Sequence, residues 1–198
     1  MASPLISPNL LTTMRLPLAP LAVYALVTGH IGGIYTAVAL ALLLEISDIA
    51  DGFVARKYNI VTDFGKLYDP FSDAFSRYTL FLGFYAVGVA QLWMVLAIFY
   101  RDSSVSFLRS IAATRNVVIA ARVSGKIKAI IQGVGTQLIF LLLLTPELTV
   151  LPQDIADEWA GHIMLFITLA TVASFFDYFW GNRALIRGAW NNTPPPKS

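Results

Sequence analysis

Long unbroken apolar blocks constrain this chain more than any other feature. Six of them run at about 12–29, 31–55, 68–89, 91–116, 124–145 and 158–181. Each approaches the roughly 20 mostly apolar residues that one helical crossing of a bilayer requires. The apolar residues come in runs, not as a stripe repeating every 3.6 residues, and a soluble domain of 198 residues could not bury them. Charged residues make up 13% of the chain, about half the share in an ordinary soluble domain. The expectation is an all-α integral membrane protein with six transmembrane helices. Residues 1–185 would form the membrane domain, and 186–198 a polar, disordered tail with little apolar surface to bury.

The breaks between blocks have their own chemistry. GHIGG at 29–33 and GVAQ at 88–91 read as tight turns, and TPELTVLPQDIADE at 145–158 as a longer polar loop. Pro17 and Pro20 predict that the first segment begins with an interfacial piece. No Lys or Arg precedes that segment and Arg15 lies inside it, so it does not read as a secretory signal. The links near 30, near 90 and over 146–158 carry no Lys or Arg. The others carry Arg56, Lys57 and Lys66, then Arg115, Arg122, Lys126 and Lys128, and the tail carries Arg183, Arg187 and Lys197. By the positive-inside rule, these basic links and both termini face the cytoplasm. The basic residues follow topology and form no patch interleaved with aromatics, which argues against nucleic-acid binding. There is no cysteine, hence no disulfide and no thiolate metal site. His30 and His162 stand alone beside non-cytoplasmic links and read as surface residues.

Against this background four aspartates stand out. Asp48 and Asp51 lie three residues apart near the end of the second block, and Asp69 and Asp73 four apart at the start of the third. Either spacing puts both carboxylates on one helical face. Acids near a bilayer are costly, and four like charges repel. One resolution pairs them with Arg56, Lys57, Lys66 and Arg77 in a solvated loop. The other gathers them on a divalent cation, and an all-oxygen ligand set selects a hard ion, Mg²⁺ or Mn²⁺. Two same-face pairs on consecutive helices favour the cation. Gly52, Ala55 and Gly65 flank the acids, and such small residues serve close helix packing or leave room for a planar ligand.

These residues carry a resemblance. Asp48-x2-Asp51-Gly52-x2-Ala55-Arg56, eight further residues, then Gly65-x3-Asp69-x3-Asp73 resembles the signature of the CDP-alcohol phosphotransferases, with all eight defining residues in place. The resemblance implies six transmembrane helices, a cytosol-facing site and a homodimer. It implies two metal ions on Asp48, Asp51, Asp69 and Asp73, with Asp73 also the general base. CDP-diacylglycerol would be the donor, bound through Gly52, Ala55, Arg56, Gly65 and Thr62. In PNLLTTMR, Asn9 and Thr12 are similar to an N-terminal element of the family and are assigned to the nucleotide. A soluble CDP-alcohol donor fits this loop-poor chain less well.

The second half of the chain bears on the acceptor. Arg101 and Arg109 lie inside an apolar run, and Ser124, Lys126 and Lys128 open the next. An acceptor that already carries a phosphate needs fixed cations, and arginine grips it in bidentate fashion. Arg109 with Lys126 makes the best clamp. Arg101 adjoins Asp102 and could pair with it, and Lys128 could mark the membrane edge. The order R-D-x2-V-S-x-L-R, VVIAA, GKIK resembles bacterial phosphatidylglycerophosphate synthases, which implies glycerol 3-phosphate as acceptor. Two departures are Ala74, where those enzymes commonly have Lys, and Asp102, where they usually have Glu. Inositol, inositol phosphate and serine are the alternative acceptors. A family member that binds the nucleotide lipid without turnover would not need Asp73. A divalent-cation transporter or channel would place acids near mid-membrane on facing repeats, and no inverted repeat is evident.

Overall fold

The computed structural model describes residues 8–29, 31–58, 63–115, 117 and 122–191. Each apolar block forms one long helix: α1 (Pro8–Val27), α2 (Ile31–Tyr58), α3 (Asp63–Ala86), α4 (Leu92–Thr114), α5 (Val123–Leu144) and α6 (Gln153–Gly181). A short seventh, α7 (Arg183–Trp190), follows. No strand occurs among the described residues. Pro17 and Pro20 lie within α1, which runs through both without a break.

The turns follow their glycines. Gly29 and Gly88 take φ of 66° and 83°, the left-handed region where a side chain is disfavoured. After Gly88, the amides of Val89 and Ala90 both donate to the Phe84 carbonyl (2.9 and 3.1 Å) and close the end of α3. Two element bounds differ from the sequence expectation. Helix α3 starts at Asp63 rather than near 68, so the basic Lys66 belongs to the helix. Helix α6 starts at Gln153, within the segment read as a polar loop. There Pro152 presets φ at −60°, Gln153 bonds to Asp157 (2.9 Å), and Ala156 and Ala160 turn inward while the acids stay outside. The first turns are thus amphipathic, and polarity alone mimics a loop. The expected disordered tail also starts too early, because α7 runs to Trp190; residues 192–198 lie outside the described residues.

Helices α1, α2 and α3 pack as one group and α5 with α6 as another, while α4 lies against α3 and α6 and α5 touches α2. Small residues set the approach: Ala19, Ala22, Ala25, Ala37 and Ala41 are buried at the first group's contacts. Where Gly83 meets Val23 and Gly135 meets Ile167, the backbones come closer than a side chain would permit. One apolar cluster, with Phe81, Phe84, Ile98, Ile139, Phe140 and Met164, fills the interior. A second, smaller cluster joins Val105, Leu108 and Ala112 of α4 to Tyr178 of α6 and Leu185 of α7. Large apolar side chains also cover the outside, among them Leu42, Leu43, Phe166, Leu169 and Phe176, as expected where lipid is the solvent.

Gly32–Ala50 of α2, α5 and α6 are long and apolar enough to cross a membrane. The protein is therefore a multi-pass membrane protein. Helices α3 and α4 carry Asp69, Asp73, Arg77, Arg101, Asp102 and Arg109, and these same residues build the site.

Candidate active site

The acids meet where α1, α2 and α3 pack. Arg15 of α1 is only 2% exposed. Its Nη1 lies 2.8 Å from Asp48 Oδ1 and its Nη2 3.7 Å from Asp69 Oδ1. Arg77 donates from Nε to Asp73 Oδ1 (2.9 Å), and its Nη2 lies 3.9 Å from Asp48 Oδ2. Each guanidinium thus touches two of the three acids, and Asp48 is shared by both. Thr12 donates to Asp69 Oδ1 (3.3 Å), and the Ser72 hydroxyl donates to the Thr12 carbonyl (2.8 Å), pinning α3 onto α1. Glu45 lies one turn before Asp48. Its carboxylate occupies the space a side chain on Gly133 would need (2.6 Å to an added Cβ), so α5 closes over the acids because residue 133 has none. Gln137 of α5 reinforces that contact by donating to the Ala41 carbonyl (3.1 Å).

A polar cavity of about 310 Å³ opens between α3, α4, α5 and α6. Asp73 and Arg77 form one wall, and Arg101, Arg109, Arg122, Lys126 and Lys128 line the rest. Not all of these cations are equally available. Asp102 accepts from Arg101 Nη1 (2.6 Å) and from Lys128 Nζ (2.8 and 3.0 Å), a largely buried triad. The buried Arg101 Nε has no partner among the described residues. Arg122 grips Asp177 through two bonds of 2.7 Å, which pushes its guanidinium further above its ordinary pKa and keeps it charged. Arg109 and Lys126 are exposed, line the cavity and pair with no acid among the described residues. A wider, mainly apolar groove between α3 and α4, lined by Phe71, Phe75, Tyr78 and Phe99, shares Asp102, Ser106 and Arg109 with this cavity.

Of the residues expected from sequence, Asp48, Asp69, Asp73 and Thr12 come together, and Asp73 shares the cavity with Arg101, Arg109, Lys126 and Lys128. Ser124 turns away from it and donates to Asp177. Gly65 lies in the first turn of α3. Asp51, Gly52, Ala55 and Arg56 lie on α2, but their side chains, and that of Asn9, are outside the described residues, as is Thr62 altogether. Arg122 and Tyr178 line the cavity without having been singled out. Arg122 had a signal, as a basic residue at the membrane edge; Tyr178 had none. Arg15 carried a signal too, as a lone cation within an apolar run.

The donor set suits a hard divalent cation in kind: carboxylate oxygens from two helices, with neither nitrogen nor sulfur among them. Among the described residues no three acids converge on one point, and Arg15 and Arg77 neutralise them in pairs. Asp51 stands one turn beyond Asp48 on the same helix.

The chain belongs to the CDP-alcohol phosphatidyltransferase family, whose sequence profile matches residues 5–174. It is 31% identical over 141 residues to the CDP-diacylglycerol--glycerol-3-phosphate 3-phosphatidyltransferase of Bacillus subtilis (strain 168), covering 71% of this chain and 72% of that one. The protein of the same name from Rickettsia felis (strain ATCC VR-1525 / URRWXCal2) is 30% identical over 174 residues, covering 85% of this chain and 92% of its own. The chain is an enzyme of phospholipid biosynthesis.

Proposed function

We propose that this protein moves the phosphatidyl group of CDP-diacylglycerol onto glycerol 3-phosphate and releases CMP. The observation that carries this reading is the shared cavity, with Asp73 on one wall and the exposed cations Arg109 and Lys126 on another. A phosphorylated acceptor fits that arrangement, its phosphate held by the cations and its hydroxyl reaching the carboxylate. Arg77 holds Asp73 through Oδ1, which leaves Oδ2 for the acceptor proton. As that proton passes to Asp73, the acceptor oxygen bonds to the phosphorus bearing the diacylglycerol, and the bond from that phosphorus to the oxygen of CMP breaks.

Arg101 and Lys128 share the single counter-charge of Asp102 and line the cavity, with the free Nε of Arg101 as a further donor. Thr12 orients Asp69. Asn9, Gly52, Ala55, Arg56, Thr62 and Gly65 are assigned to the cytidine diphosphate on the family motif. Divalent cations, Mg²⁺ or Mn²⁺, held by Asp48, Asp51, Asp69 and Asp73 would neutralise the diphosphate and the charge developing on CMP. We read all six long helices as membrane spans, with both termini and the site facing the cytoplasm. A homodimer belongs to the same reading, and the aromatic groove between α3 and α4 is a face a second copy could cover.

The test is CMP release from CDP-diacylglycerol by purified protein in detergent with Mg²⁺ or Mn²⁺. Glycerol 3-phosphate, inositol, inositol 1-phosphate and serine are supplied separately. Release confined to glycerol 3-phosphate supports the reading. Release confined to inositol or serine keeps the reaction but removes the phosphate clamp, and release with none of the four overturns the assignment.

A further inference from the structure

The last two helices carry a surface that the reaction does not use. Down the outside of α6 run Phe166, Leu169, Phe176 and Trp180, all exposed and at successive intervals of three, seven and four residues, which keeps them on one face, a stripe that faces lipid in a membrane helix. Arg183, the first residue of α7, stacks its guanidinium over the Trp180 ring (5.0 Å to the centroid) and also donates to the Trp180 carbonyl (3.0 Å). Arg183, Arg187 and Trp190 then follow at i, i+4 and i+7, all exposed, Trp190 at 89%. The opposite side of α7 is anchored. Leu185 is buried against α4 and α6, and Arg115 donates to the Ala189 carbonyl (3.3 Å). The lipid-facing stripe of α6 therefore continues onto the arginine face of α7.

Among the described residues no acid pairs with Arg183 or Arg187. No Asp or Glu follows Asp177 in the chain, and Asp177 is held by Arg122 and Ser124. We propose that Arg183 and Arg187, flanked by Trp180 and Trp190, form a binding surface for the headgroups of anionic phospholipids at the membrane interface. Tryptophan sits at headgroup depth with its ring toward the acyl chains. Arginine on an apolar stem reaches from there to a phosphate. Each arginine near an anionic leaflet attracts lipid by about fivefold, the equivalent of about 1 kcal/mol. The inference rests on the fold of α6 and α7 and requires nothing of the catalytic assignment.

The experiment uses full-length protein carrying Trp93→Phe and Trp159→Phe, so that Trp180 and Trp190 alone emit. It is reconstituted into phosphatidylcholine vesicles with a minor share of phosphatidylglycerol, and bromine is placed on the acyl chains of one lipid or the other at constant overall composition. The expected result is quenching by the brominated phosphatidylglycerol severalfold above its mole fraction. That excess should be lost in Arg183→Gln/Arg187→Gln and kept in Arg183→Lys/Arg187→Lys. Quenching in proportion to mole fraction, or an excess that survives the glutamine substitutions, overturns the proposal. Weak quenching from both labels also overturns it, since the face would then be covered by protein, such as a second copy. No turnover is measured, so the result stands apart from the reaction assignment.

Discussion

Asp73 has two neighbours: Arg77, which holds one carboxylate oxygen, and the cavity, where we propose that the other takes the acceptor proton. Asp73→Asn preserves shape and the contact to the cavity but cannot take a proton. Its turnover should fall by about 10² to 10⁴, while binding of CDP-diacylglycerol, followed by calorimetry in detergent, stays within reach of the unaltered protein. Retained turnover with lost binding would contradict the base role. Asp102 carries a structural burden instead. Asp102→Asn leaves Arg101 and Lys128 as buried cations without a counter-charge, and breaking such a pair from one side costs about 3–5 kcal/mol. The measurement is thermal unfolding in detergent, and Asp102→Asn together with Lys128→Met should recover part of the loss. At this scale the sequence was informative where a residue violated its surroundings. Four acids beside apolar blocks announced themselves, and Arg77 stood at i, i+4 to Asp73. The pairing of Arg122 and Ser124 with Asp177 spans 55 and 53 positions, and no local pattern could reveal it.

Among the elements, the six long helices were legible because each contains an extended apolar run, long enough in α2, α5 and α6 to cross a membrane. Their ends were less so, since the start of α6 and the whole of α7 are polar enough to resemble loop, and what makes them helical is an inward face that packs on distant residues. Close helix approaches give a graded prediction for alanine substitution. At Gly33 an added Cβ runs into the Ala25 carbonyl, which is backbone and cannot yield. At Gly83 it meets Val23 Cγ2 at 2.7 Å, a β-branched side chain with little rotamer freedom. At Gly135 it meets Ile167 Cδ1 at 2.6 Å, the far end of a side chain that can swing. Loss of stability should therefore fall in the order Gly33→Ala, Gly83→Ala, Gly135→Ala. Overpacking costs of about 1–3 kcal/mol are the scale, and thermal midpoints in one detergent are the check. A reversed order would mean that the helix contacts are looser than this packing.

For the molecule as a whole, the absence of cysteine makes sidedness directly testable. Leu148→Cys lies in the loop between α5 and α6, and Asn191→Cys just past α7; both positions are exposed. A membrane-impermeant maleimide should label Leu148→Cys in intact cells and Asn191→Cys only after lysis. Labelling of both from outside, or of neither, would refute the six-span topology. The two apolar clusters have a further consequence. The smaller one, around Leu108, Tyr178 and Leu185, borders the polar cavity through Val105 and Tyr178 and is separate from the larger cluster. It should act as its own cooperative unit, opening at lower free energy than the bundle of α1, α2 and α3. In hydrogen–deuterium exchange, amides of α7 and the last turns of α4 should exchange well before those of α1. An acceptor bridging α3 to α4 and α5 would tie the weaker unit to the stronger, so saturating acceptor should slow exchange in α7, a helix that need not touch it.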